Sequence, residues 1–288
     1  MNTIGIIINL AKPEILKITG QIVDWLEEHG KKVLVSSAGS CDVNDGIISC
    51  SEQELAQQAE CVIVLGGDGT LLNCARTIGV LGKPIFGVNL GQLGFLTETE
   101  LPDLIPALER LISGEFKIEE RMMIQAEVFR NGDKICNYYC LNDAVITKGA
   151  FARLIRLKTF VNNEYVDIFP ADGLIISTPT GSTAYSLSAG GPLVAPNLEL
   201  MIVTPICPHT LYSRSVVVDR DSEVKVELLG TQAEVMLTID GQSGLQLIPQ
   251  DQVVIRKAPF TAKFLKLNQR SFYEILRKKL RESGNTDV

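Results

Sequence analysis

The run Cys61-Val62-Ile63-Val64-Leu65-Gly66-Gly67-Asp68-Gly69-Thr70 constrains this chain more than any other stretch. Its five leading apolar residues include two valines and an isoleucine, which suits a strand buried on both faces, as in the middle of a parallel sheet. The glycines end that strand. Gly66, Gly67 and Gly69 allow close backbone approach and positive φ, and Thr70 is placed to cap a helix over residues 71–78. Strand, glycine turn and helix N-terminus together make a cradle of backbone N–H groups for phosphate. A carboxylate in such a cradle repels its ligand unless it has chemistry to do. Asp68 is therefore read as the group that takes a proton from an alcohol attacking a phosphoryl group, or holds that alcohol in line. The same residues also fit a plain βα turn whose aspartate caps the helix.

Around this run the hydrophobic periodicity alternates. Strand patterns at residues 3–9, 33–36, 61–65 and 84–89 are interleaved with helical patterns at 13–29, 52–59 and 71–78, and a further helix spans 102–112. Pro13 suits a first helical turn and Gly30 a stop. The alternation implies a doubly wound parallel sheet, whose ligands bind beyond the C-terminal ends of its strands. Asp68 lies at such an end, and so does Asn89, which opens the glycine-bearing loop Asn89-Leu90-Gly91-Gln92-Leu93-Gly94-Phe95.

After Gly114 the pattern changes to hairpins. Residues 125–130 and 134–140 flank Asn131-Gly132-Asp133, residues 153–161 and 165–168 flank Asn162-Asn163, and strands at 216–218, 224–229, 235–239 and 253–256 follow, with Asp240-Gly241 as a turn. The expected fold class is α/β plus all-β. An N-terminal doubly wound domain over 1–115 carries the GGDG loop, and a β-sandwich-like domain occupies 116–264. A helix within 265–288, with Phe272, Ile275, Leu276 and Leu280 on one side, is expected to return to the first domain.

Composition narrows the function classes. A chain of 288 residues with 45% hydrophobic and 21% charged residues is an ordinary globular protein. Its net charge of −7 argues against a general nucleic-acid binder, and an anionic ligand would need a divalent cation or a few placed arginines. Residues 4–8 are too short an apolar run for a signal peptide, and no uninterrupted apolar run reaches the roughly 20 residues of a membrane helix. The seven cysteines are odd in number and include no C-x-x-C pair, so they are expected to be buried free thiols in a reducing cytoplasm. His29 and His209 are too few for a zinc site.

Three further segments are too polar and glycine-rich for core strands. Leu141-Asn142-Asp143-Ala144 places an amide beside a carboxylate, a pair able to hold the two hydroxyls of a ribose, although it also fits an Asx turn. Residues 171–192 carry many hydroxyls and glycines around a strand at 174–177. That suits a loop offering amides and hydroxyls to a nucleotide, with the Tyr185 ring stacked on a base. Asp240-Gly241-Gln242 reads first as a hairpin turn. Arg153 and Arg214 are the candidate phosphate partners, or simply surface. A P-loop is excluded, because Gly79-Val80-Leu81-Gly82-Lys83-Pro84 has the wrong spacing, and no G-x-G-x-x-G follows the first strand.

Taken in order, Gly66-Gly67-Asp68-Gly69-Thr70, the loop from Asn89 to Glu98, Asn142-Asp143, Asp172-Gly173, the run from Thr178 to Pro192 and Asp240-Gly241-Gln242 resemble the bacterial NAD kinases. The GGDG piece is shared with diacylglycerol, sphingosine and, in variant form, phosphofructokinases; the loops at 89–95 and 178–192 are more specific. The resemblance implies transfer of a phosphoryl group from ATP, or in some members polyphosphate, to the 2′-hydroxyl of the adenosine ribose of NAD. It implies a divalent metal, Mg²⁺, as cofactor, and a homotetramer or homodimer whose sites borrow residues from a neighbour. By the same resemblance Asp68 is the catalytic acid-base residue and with Gly69 contacts the dinucleotide. Asn142 and Asp143 are the ribose pair, Arg153 a further contact and Asp172 a second dinucleotide-binding carboxylate. Thr183, Ala184, Tyr185, Ser186, Leu187 and Ser188 hold the adenine side, and Gln242 makes a last polar contact. Pro170 departs from the pattern, since some relatives carry a basic residue there. The rival expectations are a lipid or sugar kinase sharing the GGDG cradle and a protein that binds NAD(H) without chemistry.

Overall fold

The computed structural model describes residues 1–8, 15–37, 50–91, 94–149, 154–210, 212–230, 234–267 and 270–284. The chain divides into two compact units, Met1–Glu120 with Ala262–Val288, and Arg121–Thr261.

In the first unit, β1 (Thr3–Ile8), α1 (Ile15–Glu28), β2 (Lys32–Ser37), α2 (Glu52–Gln58), β3 (Cys61–Leu65), α3 (Asp68–Ile78), β4 (Ile85–Asn89), the short β5 (Thr99–Glu100) and α4 (Leu104–Ser113) follow one another. The strands are parallel and ordered β4-β3-β1-β2, with β5 continuing beside the end of β4. Strand order therefore reverses between β1 and β3, and the GGDG turn leaves the sheet at that switch point, where open α/β sheets bind ligands. Both faces of β3 are buried, as its uniform apolar run requires. On one face Ile4, Ile6, Ile8, Ile63, Leu65 and Phe86 pack with Ile22 and Leu26 of α1 and Leu108 and Leu111 of α4. On the other, Gly5 lets Leu55 of α2 lie against β1, and any Cβ there would strike that side chain.

The β-rich part of the chain runs from β6 (Lys117–Arg130), whose first residues belong to the first unit, through β7 (Asp133–Cys140), β8 (Asp143–Lys148), β9 (Ile155–Val161), β10 (Glu164–Ala171), β11 (Gly173–Ser177), the four-residue α5 (Tyr185–Ser188), β12 (Leu200–Ile206), β13 (Val216–Asp219), β14 (Val224–Leu229), β15 (Val235–Ile239) and β16 (Ser243–Leu247) to β17 (Gln252–Lys266), which re-enters the first unit at Ala262. Within the second unit, β10-β9-β14-β17 form one antiparallel sheet, with β6 and β7 added, and β13-β12-β11-β8-β15-β16 form another. Their inner faces enclose one core that includes Ile124, Ile146, Leu157, Phe169, Ile176, Val226 and Leu237. Alternate burial along β14 and β15 is the signature of strands with one buried face. The hairpin turns are the primed type: Asn131 and Gly132, Asn162 and Asn163, and Asp240 and Gly241 all have positive φ.

The last helix, α6 (Phe272–Gly284), belongs to the first unit. Ile275 is buried and Phe272 faces Phe95 with ring centroids 6.3 Å apart, but Leu280 is exposed, so the apolar side is shorter than its spacing predicts. No helix among the described residues is long and apolar enough to cross a membrane. Of the described cysteines, all free, Cys61, Cys74 and Cys140 are buried, Cys50 and Cys136 half-buried and Cys207 exposed; Cys41 lies outside the described residues. The expectation of buried thiols fails at Cys207, which sits just beyond β12 with φ of 44°.

Ile63 sits in the middle of β3 and is fully buried. Ile63→Ala is expected to destabilise the protein by about 2–5 kcal/mol, read as a lower urea midpoint with an unchanged m-value.

Candidate active site

The helix after β3 starts earlier than expected. Gly67 is the N-cap residue of α3, with φ of −101° and no side-chain cap bond, and Asp68 opens the helix. Thr70 is thus inside the first turn and does not cap it. None of Gly66, Gly67 and Gly69 has positive φ. What requires glycine is space, because a Cβ on Gly66 would overlap the Thr70 side chain. The tight turn lets the chain pass from strand to helix without a side chain in the way.

Asp68 is half-buried and Gly69 is exposed. The Asp68 carboxylate accepts the backbone N–H of Phe95 on Oδ2 at 2.8 Å and that of Leu96 on Oδ1 at 3.1 Å. Gly94, just before these donors, lies so close that a Cβ would occupy the position of the carboxylate. Its own N–H donates to Thr97 Oγ1 at 3.2 Å, and Asn89 closes the other end of the loop by bonding the N–H and carbonyl of Gly91. The loop from Asn89 to Phe95 is thereby the mount for the acid; Gln92 and Leu93 lie outside the described residues. A carboxylate oxygen has two lone-pair sites, so each Asp68 oxygen keeps one for a ligand.

In the second unit a cavity of ≈ 620 Å³ opens on the outer face of the β8/β11/β15 sheet. Val145, Thr147, Thr238 and Ile206 line it alongside Asn142, Asp143, Lys148, Asp172, Ala184, Tyr185 and Asp240. Five residues expected from the sequence therefore meet in one place: Asn142, Asp143, Asp172, Ala184 and Tyr185. Thr183, Ser186, Leu187, Ser188 and Gln242 are not among the lining residues, and Arg153 lies outside the described residues. Arg214 is exposed and donates to the Ser213 carbonyl at 2.8 Å.

The hydroxyls of the 178–192 segment mostly turn inward. Thr178 Oγ1 donates to the Leu141 carbonyl at 2.5 Å and accepts the Gly181 N–H at 3.1 Å. Ser182 bonds Pro179 and Val194, and Ser186 bonds Thr204 across 3.2 Å. With almost no apolar side chains to bury, the segment is held by side-chain bonds to backbone instead. Gly181 is required because a Cβ would strike the Asn142 backbone. The loop is pressed onto Asn142, and only Ala184 and Tyr185 of its second half reach the cavity.

Sequence reasoning named Asp240 as a turn residue and overlooked Lys148. Lys148 Nζ pairs with Asp172 Oδ1 at 3.0 Å, while the Lys148 N–H donates to the Asp172 carbonyl at 3.0 Å. Asp143 is 4% exposed, and burial first, then the nearby Asp240 charge, push its carboxyl up to about 7. The Tyr185 hydroxyl is raised by burial, with the charges of Cys207, Asp172 and Asp143 adding to it. Ser177 stands opposite Asp143 in the β8/β11 register, and its Oγ has no partner among the described residues.

Both halves match models of one family. Residues 4–116 match the ATP-NAD kinase N-terminal domain and residues 141–267 the ATP-NAD kinase C-terminal domain. The chain belongs to the ATP-NAD kinase family. An NAD kinase of Desulforamulus reducens is 48% identical over 99% of both chains, and one of Moorella thermoacetica is 47% identical over 99% of this chain and 91% of that one. Among solved structures, yeast NADH kinase complexed with NADH superimposes with a TM-score of 0.86 at 24% identity, covering all of this chain and 89% of the other. An NAD kinase from Archaeoglobus fulgidus in complex with ATP gives 0.76 at 24% identity over 96% of this chain and 98% of that one. These structures share the fold, a doubly wound α/β unit with a β-rich one. The family match across both halves does not favour a lipid or sugar kinase, or an NAD(H) binder without chemistry.

An aspartate titrates near 4 in an unfolded chain. Folded Asp143 holds its proton to about 7, so between those values unfolding releases a proton and stability falls as pH rises. Asp143→Asn should remove that slope: the stability of the variant relative to wild type is expected to rise from pH 5 to pH 8, measured by urea unfolding at each pH.

Proposed function

We propose that this chain transfers the γ-phosphoryl group of ATP to the 2′-hydroxyl of the adenosine ribose of NAD, giving NADP, with Asp68 as general base. One observation carries the role of Asp68: its carboxylate is fixed by two backbone N–H groups at the C-terminal edge of the sheet, yet each oxygen retains a lone pair. Such a group is oriented before substrate arrives. It takes the hydroxyl proton as the ribose oxygen bonds to phosphorus; the bond from the γ-phosphorus to the bridging oxygen breaks and ADP leaves. A positioned base contributes about 10²–10⁴ in rate.

In the same proposal Gly69 contacts the dinucleotide beside Asp68. Asn142 and Asp143 hold ribose hydroxyls, Asp172 and Arg153 make further polar contacts, and the Tyr185 ring stacks on adenine. Thr183, Ala184, Ser186, Leu187 and Ser188 complete the adenine side, and Gln242 makes a last polar contact. Ala184 and Tyr185 line the cavity, which supports their part in the site. The yeast and Archaeoglobus fulgidus structures, in complex with NADH and with ATP, agree with a dinucleotide and a nucleotide as ligands. Mg²⁺ enters the proposal with ATP, because it favours phosphate oxygens and water and takes only one or two carboxylates from a protein. It would neutralise charge on the phosphates. A cytoplasmic homo-oligomer completes the proposal, supported by free thiols and by the edge strand β13, whose Val216 and Val217 are exposed.

Incubating the pure protein with NAD, ATP and Mg²⁺ is expected to yield NADP; no NADP under these conditions overturns the proposal. Asp68→Asn should lower kcat by at least ~10² while the KM for NAD changes little. Gly94→Ala should lower kcat by ~10-fold or more, because the added methyl displaces the Asp68 carboxylate. Unchanged turnover in the folded Asn variant removes Asp68 as base.

A further inference from the structure

Asp240 follows β15 and sits in a hairpin turn, with φ of 48° and Gly241 next to it at 67°. An aspartate is common in such a turn because it tolerates positive φ. Its carboxylate, however, reaches across to the start of β8. Oδ1 accepts the N–H of Asn142 at 2.8 Å and of Asp143 at 3.1 Å, and Oδ2 accepts that of Leu141 at 3.1 Å. The Asp240 N–H donates to the Asp143 carbonyl at 3.0 Å. Thr178 holds the same segment from its other side, through the Leu141 carbonyl at 2.5 Å and the Asn142 carbonyl at 2.9 Å. The backbone N–H groups of residues 141–143 are thus gathered on one carboxylate, and their carbonyls are held by two partners.

We propose that Asp240 is a positioning residue for NAD, fixing the backbone that carries Asn142 and Asp143 so that both side chains meet the ribose in one pose. The proposal rests on the dinucleotide site described above and adds to it a residue that touches the ribose only through others. Folding alone does not call for a charge here. Asp240 is 7% exposed and lies beside a second buried carboxyl, an arrangement that costs stability compared with a neutral turn residue. Three N–H groups converging on one carboxylate offset that cost and leave a rigid segment at the cavity wall.

The arrangement also ties Asp143 to pH. Among the described residues, the charged and titratable groups at the cavity besides Asp240 are Asp172, its partner Lys148 and the Tyr185 hydroxyl, with the Cys207 thiol near enough to act on Tyr185. Burial and the Asp240 charge raise the Asp143 carboxyl, so the ionised form that accepts ribose hydroxyls is gained as pH rises through about 7. Asp240→Asn removes the second of these causes, and Asp143 then ionises at lower pH.

The test is calorimetric binding of NAD to wild type and Asp240→Asn from about pH 5 to 9, with circular dichroism to establish folding. The variant is expected to bind NAD ~10-fold more weakly at the alkaline end, and the midpoint at which affinity improves should move to lower pH. A residue that only stabilised the turn would move that midpoint through its charge but leave the affinity at the alkaline end unchanged. A folded variant with unchanged affinity, or weakened affinity with an unmoved midpoint, overturns the proposal. Should the variant not fold, hydrogen exchange in the wild type decides: the amides of Leu141, Asn142 and Asp143 are expected to be protected ~10²-fold or more, and free exchange overturns it. Binding is measured apart from turnover, so a wild type that binds NAD without forming NADP sinks the kinase mechanism and leaves this test intact.

Discussion

A carboxylate gripped by backbone N–H groups from a distant segment is the interaction on which both halves of the chain depend. Asp68 is held by the amides of Phe95 and Leu96, and Asp240 by those of Leu141, Asn142 and Asp143. Hydrogen bonds to a charged acceptor are roughly twice as strong as neutral ones, and several on one side chain fix its orientation as well as its position. In the first unit the grip aims the acid itself. In the second it fixes the backbone of the residues that grip it.

The folds supply such amides where ladder pairing stops. Beyond the ends of parallel strands and at the starts of antiparallel ones, N–H groups no longer meet a neighbouring strand and must be paired by other means. The GGDG turn occupies that position after β3, and the loop from Asn89 after β4 lies alongside it in the same parallel sheet. Close approach is possible because the contacting positions carry no Cβ: Gly94 against Asp68, and Gly181 against Asn142. Glycine acts at both sites through its size and not through φ.

The hydroxyl-rich segment shows how a loop can be polar without being a ligand surface. Thr178, Ser182 and Ser186 have almost no exposed area, and their oxygens bond to the protein itself. That internal bonding makes the segment stiff enough to present Ala184 and Tyr185 beside the carboxylates Asp143 and Asp172. An acidic cavity of this kind suits hydroxyl and amide groups of a ligand, while Lys148, the lining cation among the described residues, is paired with Asp172.

The sequence by itself determined the element types and the turns. The bounds of β3, β14 and β15 follow from apolar runs and alternation, and the Asn-Gly, Asn-Asn and Asp-Gly turns from the need for positive φ, all of them preferences acting over a few residues. It also marked Asp68, Asn142, Asp143 and Tyr185, because acids and rings in glycine-rich stretches have no core role, and Asp172 through the family resemblance. It misplaced the start of α3 and the free side of Leu280, where one more turn or one neighbour decides burial. Only the tertiary structure decided which hydroxyls face inward, that Lys148 pairs with Asp172, and that Asp240 bonds residues 97 to 99 positions away. Those partners are chosen by strand register and packing distance, quantities that no local run of residues contains.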